Sequence, residues 1–152
     1  MVANCEEKTM NTIHQFLANK KHKEVISIAP HRPVYDALVI LAEYKIGALA
    51  VLDGDKLVGI FSERDYAREV ILKGKSSKET PVSELMTRSV FCVSPADTVD
   101  ECMAIMNDKH VRHLPVLEDG KLTGIVSIRD VVNMMISERE KTIKDLEQYI
   151  SS

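Results

Sequence analysis

The heptapeptide Gly59-Ile-Phe-Ser-Glu-Arg-Asp65 returns 65 residues later as Gly124-Ile-Val-Ser-Ile-Arg-Asp130. The same offset holds without a gap over 25–65 against 90–130, where 14 of 41 positions are identical and eight others exchange one apolar residue for another. A gapless internal match of this length means that one supersecondary unit is built twice. Within each copy the apolar pattern changes period in the same order. Val25–Ile28, closed by Pro30, and Val90–Val93, closed by Pro95, read as short strands. Val34, Ala37, Leu38 and Leu41 follow helical spacing, as do Val99, Cys102, Met103 and Met106. Ala48–Leu52 and Leu57–Phe61 flank the turn Asp53-Gly54-Asp55, and Leu114–Leu117 and Leu122–Val126 flank Glu118-Asp119-Gly120, which predicts a hairpin in each copy. A second helix follows, entered through Ser62 or Ser127. The expected fold is mixed α/β (α+β), with two pseudo-symmetric β-α-β-β-α units.

The flanks divide the rest. Residues 1–19 read as a polar tail followed by a short helix with Ile13, Phe16 and Leu17 on one side; 20–72 form the first unit and 82–136 the second. The segment 73–81, Lys-Gly-Lys-Ser-Ser-Lys-Glu-Thr-Pro, is a polar linker. Beyond Asp130 there is neither proline nor glycine, and Val132, Met135, Ile136, Ile143, Leu146 and Ile150 recur at helical spacing. The tail 137–152 therefore continues a helix that overhangs its unit, either closing the core or packing against a second subunit.

Composition narrows the function. A net charge of −3, from 20 basic and 23 acidic residues, argues against nonspecific nucleic-acid binding. No apolar run approaches the ~18–20 residues of a membrane span. Cys5, Cys92 and Cys102 are odd in number and lack metal-ligand spacing, which fits a reducing cytoplasm, with Cys92 and Cys102 expected as buried inert thiols. His14, His22, His31 and His110 show no ligand spacing and are expected in solvent or at helix caps, so no metal site is expected. The serines have no histidine base placed in both units and no glycine elbow, so no catalytic residue is assigned.

The pairs Ser62-x-x-Asp65 and Ser127-x-x-Asp130 stand at the strand-to-helix junction of both units. Such a pair caps a helix: serine accepts from the amide three residues on, and the carboxylate favours the positive helix end. Three features point to a nucleotide site instead. Both copies keep the short Asp preceded by Arg64 or Arg129, so that a carboxylate for vicinal ribose hydroxyls adjoins a guanidinium for phosphate. Gly59 and Gly124, three residues upstream, would let a flat ring approach the strand. Arg112-His113 supplies further anion donors in the second unit.

These motifs, with the strand-entry pattern Val111-Arg-His-Leu-Pro-Val116, resemble a tandem pair of CBS domains (named after cystathionine β-synthase), a Bateman module, over residues 20–136. The leading helix and the tail ending Leu-Glu-Gln-Tyr-Ile look like those of small stand-alone CBS-pair proteins. The resemblance implies units packed sheet to sheet, two clefts between them, a homodimer of pairs, and adenosine ligands such as AMP, ADP, ATP, NAD(H) or S-adenosylmethionine. Carried over to this chain, it places Ser62 and Asp65 on a ribose, Ile60 beside the base and Arg64 near the phosphate, with cover from Phe91 and donors from Arg112 and His113. In the other cleft Ser127 and Asp130 take the ribose, Ile125 flanks the base and Arg129 nears the phosphate, with Ile26, Ile46 and Gly47 completing it. Gly47-Ala48-Leu49-Ala50 replaces the Arg-His-Leu-Pro of the second unit, so the clefts are expected to be unequal. The expected function is a regulatory module that binds adenine nucleotides, senses energy or redox state and signals in trans to an unidentified protein. A ligand-free dimerisation adaptor and a nucleotide-processing enzyme are the alternatives.

Overall fold

The duplicated pattern produces two small sheets, each with its own core. The computed structural model describes residues 12–19 and 25–151. Its elements are α1 (Ile13–Asn19), β1 (Ser27–Ile28), α2 (Val34–Tyr44), β2 (Ala48–Asp53), β3 (Lys56–Ser62), α3 (Glu63–Asp65, continuing as a π-helical segment Tyr66–Ile71), α4 (Val82–Leu85), α5 (Val99–Lys109), β4 (His113–Glu118), β5 (Lys121–Ser127) and α6 (Ile128–Ser151). The tail at 1–8, Cys5 and His22 lie outside the described residues.

The first sheet has the order β1-β2-β3, with β1 parallel to β2 and β2 antiparallel to β3; β4 and β5 form the second hairpin. Both hairpins shift register at the same repeat position, between Val51 and Leu52 and between Val116 and Leu117. Strand alternation then sorts the side chains. Leu49, Val51 and Phe61 join Val34, Ala37 and Leu41 of α2 in the first core. Leu114, Val116 and Val126 join Val99, Cys102 and Met106 of α5 in the second. The intervening residues, Ala48, Ala50 and Ile60 in one unit and His113, Pro115 and Ile125 in the other, belong to the opposite faces. Those faces look toward the partner unit: an ideal Cβ on Gly47 would fall 3.4 Å from His113 Nε2. α1 belongs with the second unit, where Ile13 is fully buried in the core.

Three expectations change. The strand expected at Val90–Val93 shrinks to a single parallel bridge, Val93 to Val116, made by Val93 N–H donating to the Pro115 carbonyl (2.9 Å) and Leu117 N–H donating to the Val93 carbonyl (2.9 Å). Extending that ladder to Phe91 would need an N–H from Pro115, which has none; Ala50 stands at the matching place in the first unit, and there β1 pairs over two residues. Freed from the sheet, Cys92 is exposed rather than buried, while Cys102 is buried with its thiol pushed up to about 11, first by desolvation and then by Asp97 and Glu101. The second helices also diverge: α3 is a short α-turn passing into a π-helix, whereas α6 runs unbroken for 24 residues. Val131 alone of α6 is buried, and Ile143, Leu146 and Ile150 are more than half exposed. Among the described residues no helix is long and apolar enough to cross a membrane.

Candidate functional site

Both serine–aspartate corners form capping boxes. Ser62 N–H donates to Asp65 Oδ2 (2.9 Å), the Ser62 hydroxyl donates to the same oxygen (3.0 Å), and Asp65 N–H donates to Ser62 Oγ (3.3 Å). Ser127 N–H donates to Asp130 Oδ2 (2.9 Å), and Asp130 N–H donates to Ser127 Oγ (3.1 Å). The next amide ties each corner to a strand entry: Glu63 N–H reaches the Gly47 carbonyl (3.1 Å) and Ile128 N–H the Arg112 carbonyl (2.8 Å). Capping therefore uses Oδ2 of each aspartate, and Oδ1 takes part in none of these bonds. A carboxylate can finish a helix with one oxygen and offer the other to a ligand.

Each corner opens on a cavity walled by both units. The larger, about 690 Å³, is lined by Ser127, Arg129, Asp130 and Ile125 from the second unit and by Ile26, Ile46 and Gly47 from the first. The smaller, about 140 Å³, is lined by Ser62, Arg64, Asp65 and Ile60 from the first unit and by Phe91, Arg112 and His113 from the second. The structure thus brings together each of the two sets of seven residues read from the sequence. It also makes the clefts share a wall, since Arg112 and His113 line the larger cavity as well.

His113 sits between the corners, in the space left by Gly47. Burial pushes its pKa below the usual 6.5, Arg112 adds to that, and Asp130 and Asp65 oppose it. The ring is therefore a neutral hydrogen-bonding group at pH 7. Among the described residues, Arg64, Arg112 and Arg129 take part in none of the ion pairs, which are Arg32–Asp36, Lys73–Glu69 and Lys109–Asp108. Phe91 is exposed, with Lys109 Nζ 5.4 Å from its ring centroid.

Gly59 serves packing and is absent from the smaller cavity's wall, whereas Gly124 both packs on α1 and lines the larger cavity. A Cβ on Gly59 would stand 2.7 Å from Met86 Sδ and 2.8 Å from the Thr87 carbonyl, because Thr87 bridges Ile60 at the strand edge. A Cβ on Gly124 would stand 2.7 Å from Leu17 Cδ2 of α1. Several lining residues escaped the sequence reading. His14, Tyr44 and Lys45 border the larger cavity, and Arg68, Ser89 and His110 the smaller. Arg68 carried a usable signal, because it lies four residues after Arg64 on the same helical segment. Lys45 and His110 are the left-handed C-caps of α2 and α5, a position no side-chain pattern announces.

A duplicated α/β unit whose copies jointly wall two clefts is a tandem-domain module. The CBS domain model matches residues 21–72 and 82–137, and the chain belongs to the CBS-domain family. The Arabidopsis thaliana protein called CBS domain-containing protein CBSX3, mitochondrial, is 38% identical over 122 residues, 77% of this chain and 59% of that protein; the chain thus spans less than two thirds of that relative's length. A CBS-domain protein from Burkholderia ambifaria superposes with a TM-score of 0.81 at 46% identity, covering 84% of this chain and 95% of that one. A CBS domain protein from Pyrobaculum aerophilum, complexed with AMP, has the same fold (TM-score 0.70, 22% identity, 78% and 88% covered).

Proposed function

We propose that this chain is a regulatory module that binds an adenosine nucleotide (AMP, ADP, ATP or NAD(H)) between its two CBS units and passes the signal in trans to a regulated protein. The larger cleft carries the reading. Its volume falls in the range of small-molecule sites, ~300–1,000 Å³, and it gathers Ile125, Ile26 and Ile46 for a base, Asp130 and Ser127 for a ribose, and Arg129 and Arg112 for a phosphate. AMP in a pair of the same fold supports this choice of ligand class. The smaller cavity lies below that range, so the nucleoside is assigned to the larger cleft. A ligand held by residues of both units favours one arrangement of those units, to the extent that its affinity differs between arrangements.

The exposed apolar stripe of α6 favours a homodimer as the platform for output. Calorimetric titration with AMP, ATP, NADH and S-adenosylmethionine tests the reading. Heat from at least one of them, with one nucleoside bound per chain, is expected. Silence from all four up to millimolar concentration would leave the dimerisation adaptor in its place, and turnover of bound nucleotide on long incubation would make the chain an enzyme.

A further inference from the structure

The sequence of α1 gives it little means of standing alone. It has seven residues, and isolated helices shorter than ~12–15 residues are marginal in water. None of the ion pairs among the described residues involves it. Its capping contacts are long: Thr12 N–H donates to Gln15 Oε1 and Gln15 N–H to Thr12 Oγ1, both at 3.4 Å. The second unit holds it instead. Ile13 is fully buried in that core, with Phe16 and Leu17 packed beside it. Ile13 N–H donates to the Asp97 carbonyl (3.0 Å), His14 N–H donates to the Pro95 carbonyl (2.9 Å), and Thr12 bridges Thr98.

Docked in this way, α1 turns a second stripe toward the larger cleft. His14, Leu17 and Ala18 share one side of the helix at i, i+3 and i+4, and all three line the cavity. Leu17 stands over Gly124, where a Cβ would fall 2.7 Å from its Cδ2, and Gly124 adjoins Ile125, assigned above to the base. The CBS match begins at residue 21, so this wall comes from outside both units. The smaller cleft is built differently. The repeat offset carries Leu17 onto Val82 of α4, yet Gly59 is met by Met86 and Thr87, and none of Val82–Leu85 lines that cavity.

We propose that α1 is a third wall of the larger cleft, at its base end, and that its docking and the occupancy of the cleft are linked, so that α1 reports a bound nucleoside. The inference rests on the nucleotide reading of that cleft. A ligand in contact with α1 holds the helix down, and a docked α1 tightens the ligand by the same factor, because coupling between two equilibria is reciprocal. A short helix with few contacts of its own belongs to the weakly held part of a fold, where such a coupling shows as local opening.

Amide hydrogen exchange on the full chain tests it, with and without saturating AMP (or ATP, NADH or S-adenosylmethionine where that is the one that gives heat). The amides of α1 should exchange about fivefold more slowly or better in the presence of ligand, while those of α4, its counterpart in the repeat, keep their rates. Calorimetry on Ile13→Ala and Ile13→Val supplies the reciprocal half. Affinity should fall about fivefold or more in Ile13→Ala, which loosens the anchor without touching the cleft-facing stripe, and stay near wild type in Ile13→Val. Where Ile13→Ala lacks a cooperative melt, the wild-type exchange result decides. Heat on titration with no change in α1 exchange, or equal slowing of α1 and α4, would overturn the linkage and leave the nucleotide reading standing. Silence from all four ligands overturns both.

Discussion

Replacing Asp130 by alanine separates the two jobs assigned to its carboxylate. The first is structural: Oδ2 accepts from Ser127 N–H at 2.9 Å. Removing half of a capping box costs about 1 kcal/mol, which for a chain of this length lowers Tm by roughly 2–4 °C. The second is binding. A carboxylate that accepts from ribose hydroxyls contributes about 1.5–3 kcal/mol per charge-assisted bond, so AMP affinity should drop roughly 10- to 150-fold. Ser127→Ala is the comparison, since it loses a neutral hydroxyl from the ribose site rather than a charge. It removes the Asp130 N–H to Ser127 Oγ bond of 3.1 Å, at a similar cost to the cap, yet leaves the carboxylate in place. The assay pairs thermal melts with calorimetric titration of AMP. Both variants should melt a few degrees lower, and Asp130→Ala should show much the larger loss of affinity. The ribose reasoning fails if Asp130→Ala binds AMP as wild type does while melting earlier, because the pair would then be a cap and nothing more.

Other expectations use different measurements. Gly59→Ala forces a methyl into the Thr87 backbone and should cost about 1–3 kcal/mol, whereas in Gly124→Ala the methyl meets only the end of the Leu17 side chain; melts that rank the two the other way contradict this packing. His113 titrates below 6.5 in the folded protein, so the unfolded chain binds more protons as pH falls from 6.5 through the lowered pKa. Stability should decline across that window, and His113→Gln should flatten the decline in melts taken from about pH 7 to about pH 5; parallel curves would show that the ring does not govern it. Truncation after Ser137 removes Ile143, Leu146 and Ile150 and should convert the proposed dimer to a monomer in light scattering, while an unchanged dimer would take α6 out of the interface.

The order of elements could be read from the chain because each depends on neighbours a few residues away. Helical spacing from Val34 to Leu41, alternation through Leu57–Phe61, and the Ser-x-x-Asp caps are short-range facts repeated at a fixed offset. The resemblance carried by those motifs then named fourteen lining residues. What local pattern hid was whatever depends on register or on the approach of the two units. Pro115 ends the ladder at Val93 only because β4 pairs there, and that loss is what turns Cys92 outward.

Pattern along the chain settled that one α/β unit is made twice, that each copy carries a serine–aspartate corner at the start of its second helix, and that a long helix follows the last corner. Packing of the two units fixed that the clefts differ several-fold in volume, that His113 and Arg112 belong to both, that Arg68 joins Arg64 at the smaller one, and that glycine at 59 answers to Met86 and Thr87. The difference is one of range. Caps and periodicity act through bonds between residues three or four apart, whereas a cleft wall is made where side chains roughly 30–100 residues apart in sequence come to share one space.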